Sequence, residues 1–174
     1  MIFKFRKAQA TASLICTSEH YSQKVVIEAA AIKHVTRYRQ LKSWATEAGG
    51  QLFGSISPEQ ITIALATGPY RGDERSRHRY RSKPDEAQDA IQKCAARGML
   101  YLGEWHTHAE DRPNASSLDD DAMKLLLANS RLNSDTLLLL IVGRVAPADG
   151  LALWTVSKSH AYDWQVNAKT AALA

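Results

Sequence analysis

Residues 103–122 read GEWHTHAEDRPNASSLDDDA. His106 and His108 stand one residue apart, Ser116 follows after the intervening stretch 109–115, and Asp119 opens a run of aspartates. The lead-in, 99-MLYLGEWHTH-108, has the β-rich, apolar texture of a strand. The lead-out places Leu118, Ala122, Leu125 and Leu126 at helical spacing, which predicts an amphipathic helix to about Leu132. A strand, a loop and a helix are therefore expected here, and the question is what the polar residues do at their junction.

On a strand, residues i and i+2 share a face, roughly 7 Å apart along the backbone, so His106 and His108 can converge on one ion. By itself an HxH pair is more often a satisfied core or surface histidine. Ser116 and Asp119 have the SxxD spacing of a helix start, where Ser caps and the acid sits in the first turn. That reading needs no chemistry, yet a capping box is also a rigid mount for Asp119. Two imidazoles and a carboxylate would leave one tetrahedral position of a zinc ion open for water, as catalytic sites do, and zinc brings that water's pKa to about 7. Such a centre needs a general base. Glu104 shares the face of the histidines by alternation; Glu47 lies far upstream, just before Gly49-Gly50. Spacing leaves the choice between them open, and each has a plain reading, a partly exposed strand acid or a helix-end residue.

Working outward, Val25–Ile27 predicts a short strand and Ala31, Ile32, Val35 and Tyr38 a helix running to about Gln40. Gly49-Gly50 is read as a helix break, with a strand beginning at Leu52-Phe53; a turn at 57-SPEQ-60 and the strand 61-ITIALAT-67 complete a hairpin. Residues 68–83 read as a polar loop, Pro84 to Arg97 as a helix stopped by Gly98, and 136–145 and 151–157 as closing strands. The tail 158–174 is Ala-rich and reads as a short helix or a frayed end. The fold class expected is α/β (α+β), a mixed sheet flanked by helices in one domain spanning 1–174 with its core at about 25–157.

The chain has 174 residues, 45% hydrophobic and 23% charged, ordinary for a globular domain with a proper core. No apolar run approaches the roughly 20 residues that span a bilayer. The N-terminus, MIFKFRKAQATASLICTS, has early cations but a short, broken apolar part, and is read as a first strand and not an export signal. Cys16 and Cys94 lie far apart without metal-type spacing and suit a reducing cytoplasm. A net charge of +4 does not itself indicate nucleic acid.

The pattern His106-Thr107-His108, seven residues, Ser116, two residues, Asp119 resembles the HxHx7SxxD motif of the JAMM metalloproteases, and 47-EAGGQLFG-54 resembles that family's second signature. The resemblance implies a JAB/MPN-like domain in which His106, His108 and Asp119 bind Zn2+, Glu47 takes and returns the proton, and Ser116 hydrogen-bonds the oxyanion. Glu104 then becomes a neighbour that orients a ligand. The local wording is similar to bacterial JAB proteins encoded beside E1-like and E2-like partners in anti-phage and ubiquitin-like operons. This implies a cytoplasmic isopeptidase or peptidase acting after the C-terminal tail of a ubiquitin-like modifier or another conjugated protein, with no membrane or nucleic-acid role. The alternatives are a non-catalytic MPN scaffold, against which all these residue types being present argues, a hydrolase freeing a sulfur-carrier protein, and a DNA-repair relative. Ala109 stands where many members have Pro, which is expected to loosen the loop.

One feature falls outside this scheme. In 75-RSRHRYRSK-83 cations alternate with Ser76, His78, Tyr80 and Ser82. Extended, it would present a basic docking edge to an acidic partner; the plainer expectation is a solvated, mobile loop. One aromatic is too little for a base-stacking platform.

Overall fold

The computed structural model describes residues 12–132 and 134–168. The strands are β1 (Leu14–Ser18), β2 (Tyr21–Ile27), β3 (Gly49–Ile56), β4 (Gln60–Ala66), β5 (Glu74–Ser76), β6 (Arg79–Arg81), β7 (Leu100–Thr107), β8 (Thr136–Val142), β9 (Leu151–Ser157) and β10 (Ala161–Ala168). The helices are α1 (Ala29–Thr36), α2 (Pro84–Ala95) and α3 (Ser117–Asn129). All strands but β5 and β6 close into a barrel in the order β1-β10-β9-β8-β7-β3-β4-β2, and β5 and β6 form a separate hairpin. The pairs β2–β4 and β7–β8 are parallel and the other barrel pairs antiparallel.

Alternation sorts the strands' side chains between two environments. Leu138, Leu140 and Val142 of β8 join Trp105, Leu102 and Leu153 in the inner cluster, which also takes Ala31, Ile32 and Val35 of α1. Leu137, Leu139 and Ile141 point the other way, onto Met123 and Leu127 of α3. The apolar run 136-TLLLLIV-142 is thus buried on both faces, as a parallel-paired central strand requires. Phe53 and Tyr101 lie under α2 with Ala90 and Cys94. The unit β7–α3–β8 is a parallel crossover with its helix on the outer face, so the end of β7 feeds directly toward the start of α3.

The mixed sheet with flanking helices matches the expected fold class, with differences that have physical causes. Gly49-Gly50 breaks no helix: α1 has ended at Thr36, and the glycines begin β3, pairing with His106 and Trp105. A Cβ at Gly49 would collide with the Tyr80 ring and the Trp105 carbonyl, so close approach and not turn-making requires glycine there. Residues 68–83 are no featureless loop, since they contain the β5–β6 hairpin. In the tail, 161–168 is strand β10, neither helix nor frayed end; it pairs with β1 and β9, and these outer strands close the barrel beyond the 25–157 core. The remaining tail residues, 169–174, and the N-terminal residues 1–11 of the expected first strand lie outside the described residues. On α3 the buried face is Met123 and Leu127, while Leu118 and Leu125 are exposed. Among the described residues no helix is long and apolar enough to cross a membrane.

Candidate metal centre

A bulge in the β3–β7 ladder between Tyr101 and Gly103 resets the alternation, so Tyr101 and Glu104 point outward together while Leu102 and Trp105 point in. His106 therefore faces outward at the strand's end, and Trp105 packs on the opposite side among His34 and Tyr38. One residue beyond β7, the His108 N–H donates to the Val142 carbonyl at 2.9 Å, which extends the β7–β8 ladder and fixes the second histidine.

Ser116 is the N-cap of α3 and makes a full capping box with Asp119. The Ser116 N–H donates to Asp119 Oδ2 at 2.7 Å, and the Asp119 N–H donates to Ser116 Oγ at 3.3 Å. The Ser116 hydroxyl also donates to Asp119 Oδ2, at 2.6 Å. The cap thus locks the carboxylate. Asp119 Oδ1 lies 3.1 Å from His106 Nε2 and Oδ2 lies 3.5 Å from His108 Nε2.

The two imidazole Nε2 atoms are 3.0 Å apart. Both cannot carry protons toward each other at that distance. Either one donates to the other, or both turn lone pairs on a shared cation. The ligand atoms of His106, His108 and Asp119 all lie within 4.8 Å of one another, and the three side chains are only 13–16% exposed. Burial, helped by the charge of His106, holds the His108 pKa below its usual value and favours the neutral, ligating ring. Burial alone would raise Asp119, but the His106 imidazole and the Ser116 donors outweigh it and hold the acid well below the carboxylate range. Two imidazole nitrogens and one carboxylate oxygen fit a borderline divalent ion such as zinc.

Glu47 is 7% exposed, in the segment between α1 and β3. The Thr107 N–H donates to the Ala48 carbonyl at 2.8 Å, and the Ala48 N–H donates to Thr107 Oγ1 at 3.0 Å, so this segment lies along the end of β7. Burial pushes the Glu47 carboxyl up to about 7, with His106 pulling down and Asp119 pushing up. Its charge is thus coupled to two of the candidate ligands.

Glu104 does share the outward face, but it orients no histidine. Its oxygens accept from Tyr101 Oη at 2.5 Å and Gln51 Nε2 at 3.0 Å. Ala109 does not loosen its loop either, because the Arg144 and Val145 N–H groups donate to the Glu110 and Asp111 carbonyls at 2.7 and 3.3 Å. Sequence reasoning passed over Glu110, whose Oε2 is 3.9 Å from His108 Nδ1, an atom that is buried with no hydrogen-bond partner among the described residues. The i+2 spacing from His108 was the available signal. The basic stretch is not one continuous strip, because the turn at Arg77-His78 breaks it and Tyr80 is half-buried.

Surface grooves of about 270 and 230 Å³ lie near β9 and β10; the smaller reaches Ser116, but neither includes Glu47, His106, His108 or Asp119. Among solved structures, a protein of Desulfitobacterium hafniense, DSY2949, superimposes with a TM-score of 0.55 at 18% identity over 75% of this chain and 82% of that one, a likeness of fold alone. A protein of Vibrio cholerae named CD-NTase/cGAS isopeptidase is 33% identical over 69% of this chain and 76% of its own. Proteins of the same name from Pseudomonas aeruginosa and Escherichia coli are 42% and 29% identical, covering 58% and 72% of this chain and 65% and 80% of theirs. Residues 29–157 match the Prok-JAB family, the prokaryotic homologs of the JAB domain, and the chain belongs to that family.

Proposed function

We propose that this protein is a zinc-dependent isopeptidase that hydrolyses the bond joining a conjugated protein, or a ubiquitin-like modifier, to its target or precursor extension. The observation that carries the reading is the convergence of His106, His108 and Asp119 beside an acid, Glu47, that is buried and electrostatically coupled to them. The names of the relatives support the reaction class and suggest a CD-NTase as the conjugated protein.

His106, His108 and Asp119 would hold the metal. When bound it would supply Lewis-acid polarisation of the scissile carbonyl and activation of water. Glu47, poised near neutral pH, takes a proton from the attacking water as the new C–O bond forms and returns it to the leaving amine as the C–N bond breaks. Ser116 turns its hydroxyl proton from Asp119 toward the developing oxyanion. An N-cap serine suits this task because its position is set by backbone hydrogen bonds.

The same reading takes residues 1–174 as one catalytic domain acting in the cytoplasm, in anti-phage defence, beside E1-like and E2-like partners that make the conjugate. The test is to measure zinc in the purified protein and incubate it with a CD-NTase conjugate and with a ubiquitin-like fusion, with and without chelator, alongside Glu47→Gln. Cleavage that needs zinc and disappears in Glu47→Gln is expected. A protein that binds no metal would end the proposal. Bound zinc with every substrate intact would instead favour the scaffold reading.

A further inference from the structure

Glu47 lies in no helix or strand, so something else must hold a candidate base in register with the metal ligands. Both of its backbone polar groups go to the β5–β6 hairpin. Its N–H donates to the Ser76 carbonyl at 2.7 Å, and its carbonyl accepts from Arg75 Nε at 2.6 Å. The approach to Glu47 is held by the same hairpin. The Arg77 guanidinium donates to the carbonyls of Ser43 and Lys42. The buried Gln40 amide donates to the Arg77 carbonyl at 2.9 Å and the Ala45 carbonyl at 3.1 Å, and its oxygen accepts from Thr107 Oγ1 at 3.4 Å. On β6, Tyr80 fills the space left by the missing side chain of Gly49, and its hydroxyl donates to Asp73 Oδ2 at 3.1 Å.

We propose that the β5–β6 hairpin is the mount of the general base, with Arg75 as a positioning residue, and that it is not a docking edge for substrate. The proposal rests on the reading of Glu47 as the base. Arg75 is well suited to the role, because a guanidinium always carries its protons and its planar geometry fixes the direction of the donated bond. A misplacement of the order of 1 Å in a reacting group can cost about 100-fold in rate. The hairpin carries its own control. Arg79 and Arg81 have the same charge and are exposed, and among the described residues neither makes a side-chain hydrogen bond or ion pair.

The test compares Arg75→Ala, Arg75→Lys and Arg79→Ala in the full chain, on a protein conjugate and on a short peptide bearing the same scissile bond. Zinc content and unfolding temperature are measured for each. Arg75→Ala is expected to lower kcat about 10–100-fold on both substrates, with KM within about twofold and zinc retained. Arg75→Lys, which can still donate to the Glu47 carbonyl, should recover part of kcat. Arg79→Ala should match the parent protein. A raised KM for the conjugate alone, with kcat intact, would overturn the proposal in favour of docking, and so would an Arg75→Ala protein with parental kcat. If Arg75→Ala loses zinc or fails to fold, Arg75→Met, which keeps the stem and removes the donor, decides: a parental zinc content and unfolding temperature with reduced kcat supports the mount, and full parental kcat overturns it. Glu47→Gln separates the two readings. If it keeps turnover, the base assignment itself fails; if it is inactive while Arg75→Ala is not, only the mount fails.

Discussion

Two carboxyl groups in this molecule, Glu47 and Glu104, are both pushed up to about 7 by burial, and their surroundings differ. Each oxygen of Glu104 has a donor, from Tyr101 and Gln51, and Gln51 is itself held by the Tyr70 hydroxyl at 2.6 Å. It is a network under α2 in which both carboxyl oxygens already accept a hydrogen bond. No side-chain donor among the described residues reaches the Glu47 carboxylate, and the charges that act on it are those of His106 and Asp119. A raised pKa therefore does not by itself mark a base. What separates the two is unused lone pairs beside groups that can hold a metal.

The sharpest way to break this comparison is to neutralise each acid in turn. Glu47→Gln should reduce turnover by about 10²–10⁴-fold with zinc content unchanged, the range for removing a general base. Glu104→Gln should stay within a few-fold of the parent. Zinc-loaded variants with the reverse pattern would exchange the two roles. A second comparison uses His108 Nδ1, an atom of a candidate ligand that is buried with no hydrogen-bond partner among the described residues. When His108 ligates through Nε2, its Nδ1 carries the proton, and a buried donor without an acceptor costs about 1–3 kcal/mol. Glu110 Oε2, 3.9 Å away, is the carboxylate placed to accept it after a small side-chain movement. Glu110→Ala should weaken zinc binding about 10–100-fold in competition with a chelating dye. Asp111→Ala, which removes a carboxylate 2.9 Å from Arg144 in the same loop, should not. Equal losses in both would mean that loop packing, and not a bond to the ligand, sets the affinity.

These contrasts follow the line between what the sequence shows and what it hides. The placement of His106, His108, Ser116 and Asp119 was readable because strand alternation and a capping box act over a few residues. Residue spacing could not choose Glu47 over Glu104, because Glu104 is local to the histidines whereas Glu47 reaches them through long-range pairing, the β3–β7 ladder that sets Gly49 opposite His106 and the bonds between Ala48 and Thr107. The resemblance, and not the spacing, favoured Glu47. The hairpin was hidden for another reason: its turn at Arg77-His78 has no Gly, Asn or Asp to announce it, and its partner is the irregular segment at Glu47. In the tail, the alanines after residue 167 masked the period-two pattern of Tyr162, Trp164 and Val166 that places β10 in the barrel.

The subtlest prediction concerns Glu104 and stability. Its carboxyl sits at about 7 in the fold against 4.5 for the ordinary group. Below about pH 4.5 both folded and unfolded chains hold the proton and this group contributes no pH slope. Between about 4.5 and 7 the unfolded chain releases it while the folded chain keeps it, so stability must fall as pH rises, and above about 7 it levels off. Glu104→Gln removes that slope, whereas Glu47, present in both proteins, contributes equally and cancels. Urea unfolding of the metal-free proteins at pH 5, 6, 7 and 8 should therefore show the variant gaining on the parent up to about pH 7 and no further. A flat difference would mean that Tyr101 and Gln51 keep Glu104 ionised at pH 5. The two acids would then differ in charge as well as in partners, and a raised pKa would mark the base after all.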